Sequence, residues 1–362
     1  MIPRPLPRRR ARGSVIILVL VTVLLVAFLL TKFVQRAGTE LMADARAGDR
    51  ARLRREAYSA LEATLAVLAD LRITAEGLHS PAQGWEQALE YAGHVPAAGL
   101  AVAIEVGDES GKISLPRADA ATLEVLLEVL GLGRNEAERI ADALLAWTHP
   151  DHVANAPEVD GGKYERAALP YQPALRPLRS FGELASVAYA REFFFDDSGQ
   201  PTALAREFEA NVSLYSFDRV NLNAATPVAL AVGGLDTGQI DALQSHLRRQ
   251  RASDRQKYFR TAGEAATVLG PAAWQAFGSE AAALRVTVTV RGGATAYRLS
   301  AVVAPPGGAT LAMAAGSAEP DDGVEESAPV IIKKLDYPFK VLEIRENLES
   351  TLAPAVESPA HD

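Results

Sequence analysis

Hydrophobic positions along this chain keep different periods in different stretches, and each period predicts an element. Ser14 to Thr31 has no polar period at all, reading SVIILVLVTVLLVAFLLT without a charge. Eighteen residues at about 1.5 Å each, with Phe33 and Val34 added, are long enough to cross a bilayer core as a helix. From Ala37 to about Leu71 proline is absent, and Tyr58, Leu61, Leu65 and Leu68 recur at the spacing of one helix face. Together these stretches predict a single helix of up to about 85 Å, its first half apolar and its second half amphipathic. Gly38 and Gly48 each weaken that helix by about 1 kcal/mol relative to alanine.

The period then shortens. Leu100 to Val106 alternates, and Asp108-Glu109-Ser110-Gly111 supplies turn chemistry before Lys112-Ile113-Ser114-Leu115, which predicts a hairpin. After Pro116 the period becomes helical and stays so to about Leu284. Leu284 to Val290 then alternates strictly, Gly292-Gly293 marks a turn, and Tyr297 to Val303 returns as a second strand. Val330–Lys333 and Phe339–Ile344 are further strand candidates, separated from the hairpin by the acidic stretch 316–329. A sheet that begins near residue 100 and resumes at 284 carries an insertion rather than a second domain in tandem.

That helical stretch repeats itself. Arg179-Ser-Phe-Gly-Glu-Leu-Ala-Ser-Val187 aligns with Arg260-Thr-Ala-Gly-Glu-Ala-Ala-Thr-Val268, and Leu115/Leu123 answers to Leu222/Leu230. Two copies, about 113–187 and 220–268, are the economical reading. Ser180-x-x-Glu183 and Thr261-x-x-Glu264 both read as capping boxes, with hydroxyl and carboxylate each satisfying an amide of the first turn. Gly131-Leu132-Gly133, followed by Ala137 and Ile140, is a helix-hairpin-helix signature in which glycines permit a tight turn. The second copy has Gly233-Gly234-Leu235 and Ile240 in its place.

Charge refines this picture. The net charge is −8, yet residues 1–36 carry seven basic side chains and no acid. Five of these arginines precede the apolar run, so the positive-inside rule puts the N-terminus in the cytoplasm and the bulk across the membrane. The run is long for a secretory signal, and KFVQRAG beyond it offers no small-x-small cleavage site. Gly13-Ser14, after a basic leader and before the apolar run, resembles a type IV prepilin junction. Cleavage there would make Ser14 the first residue and, with five arginines gone, take the net charge from −8 to −13. Helix-hairpin-helix units elsewhere present turn amides to DNA phosphate, a function that needs surrounding Lys or Arg. Here the hairpin reads RNEAERIADALL, balanced in charge, and packing is the favoured role. The chain has no cysteine, no G-x-S-x-G, no H-E-x-x-H and no phosphate loop, so nothing in it points to an enzyme.

In this order the parts resemble the general secretion pathway protein K family, the largest minor pseudopilins of type II secretion systems. The resemblance rests on the Gly13-Ser14 junction, the long helix and Asp108-x-x-Gly111-Lys112-Ile113-x-Leu115. It continues through Ile140–Trp147, Pro170-Tyr171-x-Pro173, Pro177–Leu184 and Val220-Asn221-Leu222-Asn223-Ala-Ala225. Most pilins carry glutamate at the fifth mature position; here it is Leu18, as expected of a subunit at a filament tip. The resemblance implies an α+β, type IV pilin-like fold: a long N-terminal helix, part transmembrane, on a small antiparallel sheet. It also implies a large all-α insertion built from the two helix-hairpin-helix-like repeats.

The expected organisation is a leader (1–13), a transmembrane segment (14–34), spine helix and first strands (35–113), and an inserted helical domain (114–283). C-terminal strands (284–350) and a disordered tail (351–362) complete it. Implied partners are the I and J minor pseudopilins, the major pseudopilin, an inner-membrane assembly platform and prepilin peptidase, with the bulk of the chain periplasmic. Calcium in the helical domain is implied too, but here the sequence departs from the family. Asp151, Glu158 and Asp160 remain as ligands, His149 stands where the family has aspartate, and the later Glu-Asp pair is split. Calcium takes six to eight oxygens, more than these three side chains supply. His149 and His152 lack a third ligand for a transition metal. A minor pilin of a type IV pilus and a membrane-tethered DNA-uptake protein are the alternative functions.

Overall fold

A computed structural model describes residues 14–155, 164, 170–252, 258–293, 295–311 and 337–346. By internal contacts the chain divides into two units, residues 1–55 and 56–362. Helix α1 (Ser14–Thr74) is one uninterrupted element. In the first unit its large apolar side chains from Ile16 to Val34 are all more than half exposed, so a lipid environment is the one that suits them. Among the described residues this is one helix long and apolar enough to cross a membrane.

In the second unit Leu61, Leu65 and Leu68 are buried, together with Ala57 and Ala60. Tyr58, on the same expected face, is half-buried and donates its hydroxyl to Glu346 Oε1 at 2.7 Å. These residues of α1 pack on a four-stranded antiparallel sheet of order β1 (Ala101–Asp108), β7 (Leu284–Gly292), β8 (Thr295–Ala304) and β10 (Lys340–Glu346). The β7–β8 hairpin runs in register from Leu284↔Val303 to Gly292↔Thr295, with Gly293 at φ +58 in its turn. The alternation in β7 has its physical cause here, since Val286, Val288 and Val290 are all fully buried. Strand β10 pairs with β8 through a bulge between Val341 and Glu343. The stretches 316–329, 330–333 and 351–362 lie outside the described residues.

The expected hairpin between residues 100–106 and 112–115 does not form. β1 pairs along its whole length with β7, from Ala101↔Arg291 to Asp108↔Leu284. Asp108 caps the 3-10 turn Glu109–Gly111, its Oδ1 accepting from Ser110 N at 2.8 Å, and this turn leads the chain out of the sheet. The short strand β2 (Ile113–Ser114) then pairs in parallel with β3 (Val212–Ser213). The insertion thus departs from one strand and returns at its direct neighbour, at the paired ends Asp108 and Leu284, while Tyr215 and Ser216 within it also reach the chain after β8 and Glu343 of β10.

The insertion is mainly helical. Its principal helices are α2 (Ala120–Val129), α3 (Arg134–Thr148), α4 (Ala203–Asn211), α5 (Pro227–Val232) and α6 (Thr237–Ala252). Two-residue bridges supplement them, β5 (Val220–Asn221) with β6 (Phe277–Gly278) and β4 (Tyr215–Ser216) with β9 (Thr310–Leu311). Around α2 and α3 one core gathers Leu123, Leu126, Leu127, Ile140, Leu144, Trp147, Phe194 and Phe208. A second, smaller core holds Leu230, Leu235, Leu243, Leu247 and Phe277 around α5 and α6.

Neither expected capping box closes. The Ser180 and Thr261 hydroxyls make no cap bond, and both segments begin as 3-10 rather than α-helix, the second turning α-helical only at Ala266–Leu269. The glutamates instead reach one residue further back, Glu183 accepting from Arg179 N (3.0 Å) and Glu264 from Arg260 N (3.1 Å). The tighter 3-10 winding displaces the first-turn amides from the hydroxyl's reach, and both copies share the deviation.

Candidate functional site

The two segments Asp108–Leu115 and Val220–Ala225 meet at the base of the insertion. Asn221 is fully buried, and its Nδ2 donates to Asp108 Oδ2 (2.6 Å) and to the His79 carbonyl (2.9 Å). Asn223, also buried, accepts from Phe259 N at 2.7 Å and donates to the carbonyls of Phe259 (2.9 Å) and Ser279 (3.0 Å). Ser110 Oγ donates to Asp108 Oδ1 and accepts from Ala282 N. The carbonyl of Gly111 accepts from Thr226 N at 3.0 Å. Two short polar motifs therefore tie the end of β1, the start of β7, the segment after α1 and the second repeat into one knot.

Charge in the knot is uneven. Burial pushes the Asp108 carboxyl up to about 6, against the pull of its Ser110 and Asn221 hydrogen bonds. Burial also penalises Glu109, but Lys112 and Arg285 outweigh it and hold that carboxyl below its usual range. Glu109 lies 2.5 Å from Arg285 Nε and 3.3 Å from Lys112 Nζ. Tyr215 donates to Glu343 Oε2 at 2.6 Å, and burial followed by that carboxylate raises its phenol. Each of these polar groups is hydrogen-bonded or ion-paired to another part of the chain, so the arrangement fixes geometry. Sequence reasoning quoted both motifs but missed that they touch, because nothing local in a chain signals a contact across 113 residues.

The predicted helix-hairpin-helix turns are also self-satisfied. At the α2–α3 turn Gly131 N donates to Glu128 O (2.9 Å), Leu132 N to Leu127 O (3.1 Å) and Gly133 N to Glu136 Oε2 (3.2 Å). The α5–α6 turn repeats this bond for bond, with Gly234 N to Ala231 O, Leu235 N to Leu230 O and Asp236 N to Gln239 Oε1. Since α2 has ten residues and α5 six, the second copy lacks about one helical turn before its hairpin. That is why Leu230 answers to Leu123 when read from upstream and to Leu127 when read from the turn. The Glu136 carboxylate and the Gln239 carboxamide thus take up one amide of each turn from within the chain.

Gly131 has φ +99 and Gly234 φ +91, whereas Gly133 is extended at φ −69. Gly131→Ala is therefore expected to cost roughly 1–2 kcal/mol, although open space surrounds it. Gly133→Ser, at an N-cap, should stay within about 0.5 kcal/mol. Urea unfolding followed by tryptophan fluorescence measures both.

Of the expected metal ligands, Asp151 is exposed after α3, and Glu158 and Asp160 lie outside the described residues. The neighbouring buried carboxylate, Asp142, is taken by His152 Nε2 (2.7 Å) and Asn155 N (2.9 Å). Among the described residues no three Asp, Glu, His or Cys side chains converge as metal ligands would. At the N-terminus Gly13 lies outside the described residues, Ser14 begins α1, and Leu18 is exposed on it.

Residues 106–194 match the family described as type II secretion system (T2SS), protein K. The fold is similar to a chain in the crystal structure of the GspK-GspI-GspJ complex from the type 2 secretion system of enterotoxigenic Escherichia coli. That likeness has a TM-score of 0.52 at 13% identity and covers 84% of this chain and 100% of the other. Among curated proteins, none matches this chain in sequence.

Proposed function

We propose that this chain is a minor pseudopilin of the type II secretion protein K family, a reading supported by the match over residues 106–194 and by the fold, and that it caps the tip of a periplasmic pseudopilus. The observation that supports it is the bulky, mainly helical insertion that leaves the sheet between the adjacent strands β1 and β7. A pilin body stacks helically on its neighbours, and an insertion of this size is hard to bury inside such a filament, which suits a place at its end. Leu18 agrees with a cap, because a glutamate with no subunit above to meet would be costly in the bilayer.

On this reading prepilin peptidase cuts between Gly13 and Ser14, and α1 anchors the chain in the inner membrane with its bulk periplasmic. The partners are minor pseudopilins of the I and J types below the cap, the major pseudopilin of the shaft and the inner-membrane platform. The role is assembly, and the interlocked polar knot keeps the insertion rigid on the pilin body. Calcium at the loop after α3 remains part of the family expectation.

Deleting the gene tests the proposal. Folded type II substrates should accumulate in the periplasm with the inner membrane intact, and reintroducing the chain should restore export. Normal export combined with lost piliation would assign the chain to a type IV pilus instead.

A further inference from the structure

The part of α1 just before residue 56 carries a charge pattern that the capping role does not use. Residues 46–55 read RAGDRARLRR, five arginines against one aspartate, in a chain that is otherwise acidic. All five arginines are exposed. Arg46, Arg50 and Arg54 follow one another at four-residue steps and so form one stripe along the helix, with Arg55 to its side and Arg52 on the opposite face. Like charges at that spacing destabilise an isolated helix. Lower down, the helix pairs its charges, Arg36 with Glu40 at 2.8 Å. Higher up, Arg46, Arg50 and Arg55 have no ion pair among the described residues.

We infer that this basic collar docks against an acidic face of a neighbouring helix anchored in the same membrane, an inference that rests on the pseudopilus reading. Height above the bilayer decides against lipid. The apolar run ends at Val34, which puts Arg46 about 18 Å and Arg55 about 32 Å beyond the hydrocarbon core. An average tilt of about 20° shortens these heights by only about 6%. Headgroups occupy roughly the first 5–8 Å, and surface potential decays with a Debye length of about 8 Å. Arg46 stands more than one Debye length above the headgroups, and the arginines beyond it stand further. A second helix fixed by its own membrane anchor is held parallel and at matching height, and carboxylates on it meet the collar without a search. The acidic bulk of the chain repels such a helix, so the collar sets where along α1 the neighbour makes contact.

The test uses the full-length chain co-expressed with the I-type, J-type and major pseudopilins of its own secretion system, in membranes. Arg46→Lys and Arg50→Lys keep the charge and supply amines, which a zero-length carbodiimide couples only to a carboxylate in direct contact. Mass spectrometry is expected to find the introduced lysine joined to an Asp or Glu on the partner's helix. At about 1 M salt, where the Debye length is about 3 Å, the yield should fall at least fivefold. The double reversal Arg46→Glu with Arg50→Glu should weaken association at least tenfold in neutral phosphatidylcholine discs and in discs containing phosphatidylglycerol alike. If the complex forms with no such cross-link and tolerates the reversal within twofold, the inference is overturned and the pseudopilin reading stands. An effect seen only in the anionic discs assigns the collar to lipid and overturns it as well. If the unmodified chain associates with no pseudopilin, both fall together.

Discussion

Gly111→Ala is expected to cost about 3 kcal/mol or more, among the largest effects of any single methyl in this chain. A Cβ at that position would stand 2.3 Å from the carbonyl oxygen of Ala224 and 2.7 Å from its carbon. Both obstacles are backbone, and neither side can retreat. The Gly111 carbonyl is held by Thr226 N, and Ala224 N is held by Asn221 O. The glycine is required by close approach, not by a left-handed backbone, so its role differs from that of Gly131. Trp85 and Trp147, both buried, supply the fluorescence signal for urea unfolding of the full chain in detergent. A loss under about 1 kcal/mol would mean that the two motifs are not in contact.

The second large effect is electrostatic. Asn221→Asp places a carboxylate where Nδ2 now donates to Asp108 Oδ2 at 2.6 Å, inside a fully buried site. Two like charges there should cost about 3–5 kcal/mol at pH 8. Acid relieves the penalty, because one proton shared by the pair restores a hydrogen bond, so the variant approaches the parent near pH 5. The parent carries a weaker version of the same dependence. Asp108 titrates at about 6 when folded against 3.8 when unfolded, so folding takes up a proton between those values. Its contribution is fully present below about pH 4 and lost as pH rises through 6, an order of 3 kcal/mol. Glu109 runs the other way, since its depressed carboxyl contributes above its unfolded value and loses that contribution as pH falls. Urea midpoints for parent and variant across pH 5–8 separate the two. A pH-independent loss would show that Asp108 and residue 221 do not meet.

How far the sequence carried this account depended on the range of the interactions concerned. Helix α1 and the β7–β8 hairpin were legible because their periods are local and their turns carry glycine. The repeat was legible through RSFGELASV and RTAGEAATV, although the missing turn in α5 appears only from the hydrogen bonds of the two hairpins. The partner of β1 was not legible, since alternation shows that a strand has two faces and not which strand lies beside it. The turn residues after Asp108 were recognised correctly as a turn, yet they close a 3-10 exit from the sheet rather than a hairpin. The capping boxes failed for a related reason: four residues specify the side chains and leave the α or 3-10 winding to tertiary packing. Asp142–His152 and Tyr215–Glu343 were missed because their partners are ordinary polar residues brought together by the fold alone.

The central claim is that this chain is the capping member of a minor pseudopilin complex. Its most direct test is co-expression of the full-length chain with the I- and J-type pseudopilins of the same system, followed by purification in detergent and native mass spectrometry. The account predicts one assembly containing one copy of each, with the chain beginning at Ser14. A chain that stays alone while the other two associate, or that binds duplex DNA tightly at physiological salt, would contradict it.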